Sequence, residues 1–159
     1  MTTSPEPTWS DDLRAHIAKA VRTARDERGL SLNTLADATG RLITRDTIAN
    51  LESGRKRVLD IAELIILAKA LDVPPVSLLY PRTDRVEQSP GVVTSGLDAT
   101  LWFAGYSEDS DMWDVYRYAD ARAQYDVYKQ DPDEAERLSA RSLIGQAKRN
   151  VRKQGWAVT

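Results

Sequence analysis

Between residues 10 and 80, apolar residues recur at helical spacing in five short runs, each closed by glycine or proline. No part of this block alternates in the manner of a strand. Ser10 reads as the cap of the first run, with Asp11 and Asp12 in its first turn, Leu13, Ile17, Ala20, Val21 and Ala24 inward, and Gly29 as its stop. Ser31 caps the second, with Leu32, Leu35 and Ala36 inward and Gly40 at its end. Thr44 caps the third, with Ile48 and Leu51 inward and Gly54 as terminator. Asp60 opens the fourth, "IAELIILAKAL", which is apolar on nearly all sides; Ile65 or Ile66 is available for a partner face. Pro74-Pro75 opens the fifth, "VSLLY", and Pro81 closes it.

The flanks differ in composition. Residues 1–9 are rich in Pro, Thr and Ser and read as disordered. Residues 81–96, "PRTDRVEQSPGVVTSG", read as a linker. Helical patterning resumes over 97–156, and 157–159 is a tail. Here the expected elements are a helix carrying Leu101, Trp102 and Phe103; a longer one with a stripe of Met112, Val115, Tyr116, Ala119, Ala123 and Val127; and a third capped by Asp131, with Pro132 and Glu134 in its first turn. The third has Leu138, Ala140, Ile144, Ala147 and Val151 inward. Trp102, Phe103, Tyr106, Trp113 and Tyr116 read as core. The predicted fold is all-α: a five-helix domain, a linker and a small, roughly three-helix domain.

There is no cysteine, hence no disulfide framework and no thiolate metal site. The start lacks a basic region followed by an apolar run, and the longest apolar run is interrupted by Glu63 and Lys69. The expectation is a cytoplasmic, nucleoid-associated protein with no membrane partner, no cofactor and no small-molecule ligand. Its net charge of −2 argues against a nucleic-acid partner only until its distribution is read. Residues 1–80 hold 11 basic and 11 acidic side chains, 97–136 hold 3 and 11, and 137–159 hold 6 and none. The acidity therefore lies away from the front block.

Two short helices joined by a tight glycine-containing turn form an arrangement suited to DNA. The first sets its N-terminus near a phosphate and the second offers its outward side chains to the major groove. Gly29-Leu30-Ser31, Leu35-Ala36, Gly40, Ile48, Leu51-Glu52, Gly54 and Ala68-Lys69-Ala70-Leu71 together resemble the lambda-repressor/Cro-like (XRE family) helix-turn-helix regulators over roughly residues 13–80. The resemblance implies a recognition helix over 45–53. It places Arg45, Asp46 and Asn50 at base edges, with Thr47 and Ala49 beside them. Arg suits guanine, Asn adenine and Asp the cytosine amino group. Asp46 could instead cap its own helix or buttress Arg45. Phosphate contacts fall to Ser31, Asn33, Thr34, Thr44, Arg55, Lys56 and Arg57, and Arg25 with Glu52 matches a structural ion pair of the family. Two departures stand out. Leu32 replaces a frequent phosphate-binding Gln, and Arg41-Leu42 lengthens the turn before the third helix, which makes Arg41 an added phosphate contact and leaves the register of that helix open by one position.

Near the C-terminus, Lys148, Arg149, Arg152 and Lys153 share one helical side and are a second candidate DNA contact. A well-charged solvent face and docking onto the acidic block are the alternatives. Ser139 and Ser142 lie mid-helix with no paired lysine in a strand, so neither autoproteolysis nor any other enzyme activity is expected. The sequence thus reads as a double-stranded-DNA-binding transcriptional repressor, resembling temperate-phage immunity repressors, with a homodimer through the C-terminal block as one arrangement. An antitoxin-type regulator whose C-terminal domain binds a protein is the alternative. His16 is assigned to surface or packing.

Overall fold

The computed structural model describes residues 8–106, 110 and 112–158. Residues 1–7 of the segment expected to be disordered, and Thr159 of the tail, lie outside the described residues. The chain packs as two units, Met1–Phe103 and Ala104–Thr159.

The first unit begins with α1, Trp9–Glu27, whose cap is Thr8 and not Ser10. Thr8 Oγ1 accepts from the Asp11 amide at 3.3 Å, and Asp11 Oδ2 accepts from the Thr8 amide at 3.0 Å. This reciprocal box satisfies two otherwise orphaned donors and draws Trp9 into the helix. Helices α2 (Leu32–Ala38), α3 (Arg45–Glu52) and α4 (Ile61–Ala70) start at the expected caps Ser31, Thr44 and Asp60. The expected fifth α-helix is instead one turn of 3-10 helix, Pro75–Leu78. Leu78, Leu79 and Tyr80 are all buried, so tertiary packing, not helix length, fixes this run. Val21, Leu35, Ile48, Leu67 and Leu71 are almost wholly excluded from solvent at the centre of the unit. Ile65 is half-exposed on the outer side of α4, with Ile61 and Val58 more exposed still.

Residues 81–96, expected as a linker, carry a β-hairpin, so the chain is not all-α. Val86–Ser89 (β1) and Val92–Thr94 (β2) form an antiparallel hairpin, with Val86 opposite Thr94 and a bulge between Glu87 and Ser89. Pro90-Gly91 makes the turn, with Gly91 at φ 80° and its amide donating to Glu87 Oε1 at 2.7 Å. The hairpin is fastened to the helices by the Trp9 indole, which donates to the Glu87 carbonyl at 2.9 Å. The Tyr80 hydroxyl likewise donates to the Gln88 carbonyl at 3.0 Å. Helix α5, Gly96–Phe103, then packs on the hairpin and the 3-10 turn, with Ala99 fully buried in the first unit's core. Tyr80 meets Phe103 edge-to-face at 6.2 Å.

At the start of α5, a β-carbon on Gly96 would lie 1.7 Å from the Pro81 carbonyl oxygen, a backbone atom that cannot swing aside. We expect Gly96→Ala to destabilise this unit by about 2 kcal/mol through forced displacement of α5. A denaturant midpoint equal to wild type would show that α5 does not need this approach.

His16 on α1 has its Nε2 buried without a hydrogen-bond partner among the described residues. Burial, with a smaller contribution from Lys19, lowers its pKa below the ordinary 6.5. Between the folded and unfolded pKa values the unfolded chain holds more protons, so stability rises with pH. The contribution is complete above the unfolded value and is lost as pH falls through the folded one. Melting temperatures of the wild type should therefore fall from about pH 7 to about pH 5 more steeply than those of His16→Gln. Parallel profiles would remove His16 as the source.

The second unit is a helical hairpin of α6 (Trp113–Tyr128) and α7 (Glu134–Lys153), so the expected three-helix bundle reduces to a pair here. Asp114 near the start of α6 accepts from Gln154 at 3.0 Å and from Asn150 at 3.4 Å, which sets the helices antiparallel. The seam is Ala121 with half-buried Tyr118 and Tyr125, against Ile144 and Ala147. Ala140 and Val151 are buried as well. Small residues at the seam let the two helices approach. The expected stripe on α6 is out of phase: Ala119 and Ala123 are exposed, and Val127 is 72% exposed. On α7, Leu138 faces out while the remaining four expected positions are buried. The cap of α7 is Asp133, not Asp131, and accepts from the Ala135 amide at 2.8 Å. Of the rings expected in the core, Trp102, Phe103 and Tyr106 are exposed and Trp113 and Tyr116 half-buried; Tyr106 packs edge-to-face on Trp113 and on Tyr116 at the surface of this unit.

Candidate nucleic-acid interface

Helix α3 owes its orientation to both of its faces. Ile48 and Leu51 are buried, as is Ile43 just ahead of the cap. Glu52 is held from α1. Arg25 donates through Nε and Nη2 to the two Glu52 carboxylate oxygens at 2.7 and 2.8 Å, and through Nη1 to the Leu30 carbonyl at 2.8 Å. The two side chains are only 12% and 8% exposed, and the Glu52 hydrogen bond is the main reason that the Arg25 pKa is raised. One guanidinium thus fastens α1, the entry to α2 and α3.

With that face fixed, Arg45, Asp46 and Asn50 point to solvent, while Thr47 and Ala49 are half-buried. Arg45 Nη1 donates to Asp46 Oδ1 at 2.9 Å, so Asp46 buttresses Arg45 here. Thr47 supports the cap: its amide donates to Thr44 Oγ1 at 3.1 Å, and the two hydroxyls lie 2.9 Å apart. The Asn50 Oδ1 accepts from Arg55 Nε at 3.1 Å. This leaves both amide protons of Asn50 and a second lone pair on Oδ1 for a ligand.

The lengthened turn has an unusual backbone. Gly40 (φ 67°) and Arg41 (φ 63°) are consecutive left-handed residues, and the Arg41 amide donates to the Ala36 carbonyl at 3.2 Å. The next residue, Leu42, is 73% exposed. Asn33, Arg41, Thr44 and Arg45 line one open cleft of about 420 Å³, with Asp37 on its wall. Arg41 Nε donates to Asp37 Oδ1 at 3.0 Å. Asp37 was not singled out from the sequence, and Leu42 only as part of the lengthened turn. A carboxylate one turn before a cationic loop was the signal for Asp37; the exposure of Leu42 had none, because an apolar residue in a turn reads as buried.

The remaining phosphate candidates divide. Ser31 and Thr34 are exposed at the α2 N-terminus but bonded to each other, with the Thr34 amide donating to Ser31 Oγ at 3.1 Å and the hydroxyls 2.8 Å apart. Arg55 and Arg57 are exposed. Lys56 is half-buried and ion-paired with Glu63 at 3.0 Å, so it ties the loop to α4. In the second unit, Arg149, Arg152 and Lys153 are exposed and Lys148 is half-buried. Arg152 also donates to the Val158 carbonyl at 3.1 Å. Among the described residues no cluster of His, Asp and Glu could hold a metal ion, and no helix is long and apolar enough to cross a membrane.

Residues 21–78 match the family model described as Helix-turn-helix. The first unit therefore carries a helix-turn-helix domain of the DNA-binding type. Among solved structures, a hypothetical transcription factor from Neisseria is similar at 28% identity, over 51% of this chain and 88% of that one, with a TM-score of 0.41. Curated proteins give no match.

Proposed function

We propose that this chain is a sequence-specific double-stranded-DNA-binding transcriptional repressor of lambda-repressor/Cro-like type, with α3 in the major groove. The observation that carries the reading is the cleft at the α2–α3 turn. Four side chains assigned to DNA from the sequence (Asn33, Arg41, Thr44 and Arg45) line it, while Arg25 and Glu52 hold α3 from behind. Arg45 and Asn50 read bases; Asp46 orients Arg45, and Arg55 orients Asn50. Thr44, Arg41, Asn33, Arg55 and Arg57 meet phosphates, and Ser31 and Thr34 frame the α2 N-terminus beside them. Residues 10–80 are the DNA-binding domain, and Lys148, Arg149, Arg152 and Lys153 form a second backbone contact. Control of phage immunity is the physiological role that we assign to this repressor.

Selection of bound duplexes from random DNA tests the reading. It is expected to return one defined motif, and its symmetry separates a dimer on repeated half-sites from a monomer reading an asymmetric site with two units. Recovery of no motif would reject sequence-specific reading. The exposed apolar side chains of the second unit, Val127 and Leu138 among them, favour one alternative, an antitoxin-type regulator whose helical hairpin binds a protein. A stoichiometric small protein that co-purifies and masks that hairpin would establish it.

A further inference from the structure

The groove between α6 and α7 holds a constellation of which the proposed function uses only Lys148. It encloses about 400 Å³ and is walled by Tyr118 and Tyr125 on α6, with Arg122 on the same helix and Arg141 and Lys148 on α7. The neighbouring carboxylate, Asp126, is engaged by Lys129 at 2.9 Å. Three cations therefore line the groove against one acid, Asp126, whose charge is favoured by Lys129 and, less, by Arg122. The lining includes Gly145, in the interior of α7. A β-carbon there would meet only Arg149 Nη1 at 3.6 Å, an ordinary contact, so helix packing does not require glycine. Glycine in a helix interior is unfavourable; what it supplies here is a part of the groove's lining free of any side chain.

We propose that this groove binds a phosphoester group attached to a planar ring, the chemistry of a nucleotide. The cations take the phosphate and the tyrosines the ring. The phosphoester comes either from a free nucleotide or from the DNA itself. This proposal stands independently of how α3 reads its site, and it shifts the functional centre of the second unit from the outer face of α7 towards the inter-helix groove.

The test uses the full chain and two variants. Arg141→Ala/Lys148→Ala removes charge, and Gly145→Leu fills the groove with the charge unchanged; circular dichroism confirms that each folds. Calorimetric titration with adenosine 5′-monophosphate, and with inorganic phosphate, probes the free-ligand source. Affinity for a DNA duplex against salt concentration probes the other. Saturable nucleotide binding weakened about tenfold or more by both variants assigns a nucleotide effector. Duplex affinity weakened by both, with the logarithmic salt slope of the charge variant shallower by about two, assigns a DNA phosphate. If the charge variant alone weakens either ligand, the effect is long-range electrostatics and the groove is not a site. No binding of nucleotide or phosphate, together with duplex affinities equal to wild type, also overturns it. Arg45→Ala in α3 should leave the nucleotide titration unchanged, so failure of the α3 reading and failure of this one are separable.

Discussion

Glu52→Ala should cost the first unit about 3 kcal/mol, because it leaves the Arg25 guanidinium in a nearly closed space without its main counter-charge. The pair is bidentate, and both side chains are largely withdrawn from water. Arg25 keeps its bond to the Leu30 carbonyl and an ion pair with exposed Asp26 at 2.7 Å, which places the loss at the lower end for broken buried pairs. Glu52→Gln keeps an acceptor and should cost less. Equilibrium unfolding in urea measures both. At temperatures where the variant remains folded its base preference should match wild type, since Glu52 positions α3 and touches no base. A midpoint indistinguishable from wild type would mean that apolar packing through Ile48 and Leu51 alone sets the helix.

Arg45→Ala and Asn50→Ala should each weaken binding to the selected DNA site by about 1–3 kcal/mol and relax preference at one base position. The local geometry separates the two. Arg45 is held by Asp46 through a single Nη1, which leaves the rest of its fork for a guanine edge. Asn50 shares Oδ1 with Arg55 and keeps two amide protons, as adenine readout needs. Arg55→Ala should accordingly soften discrimination at the Asn50 position as well as lower general affinity, whereas a purely phosphate-bound arginine would lower affinity uniformly. Competition with variant duplexes reads both effects. Unchanged affinity and preference in Arg45→Ala and Asn50→Ala together would remove α3 as the reading element.

The caps at Ser31, Thr44 and Asp60 and the inward residues Ile48 and Leu51 were legible because cap chemistry and helical period are local signals. The Arg25–Glu52 pair was legible only through family resemblance, since 27 residues separate the partners. The hairpin was missed because its strands have four and three residues, too few for alternation to register, and Pro90-Gly91 reads equally as loop punctuation. On α6 the phase was misassigned because tyrosines occur on several sides at 116, 118, 125 and 128. The seam uses Tyr118 and Tyr125 with small Ala121, whereas a search for aliphatic residues selects Val115 and Val127. The same bias hid the α6–α7 groove, which only appears when two distant segments are placed side by side. The shifts of caps from Ser10 to Thr8 and from Asp131 to Asp133 have one cause: several neighbouring residues can cap, and the choice is made by the reciprocal bond or the turn that forms.

The bond from the Trp9 indole to the Glu87 carbonyl joins positions 78 apart in the chain. Ala99, still later, fills the core around α1. During synthesis from the N-terminus, the start of α1, where Trp9, Leu13 and His16 lie beside Val86 and Glu87, therefore stays uncovered until the hairpin has been made, after the helix-turn-helix segment itself is complete. A nascent chain stalled near Tyr80 would hold the Arg25–Glu52 clamp but leave the Trp9 indole without its acceptor and Ala99's place in the core unfilled, so the last part of the first unit to close lies outside the helix-turn-helix segment.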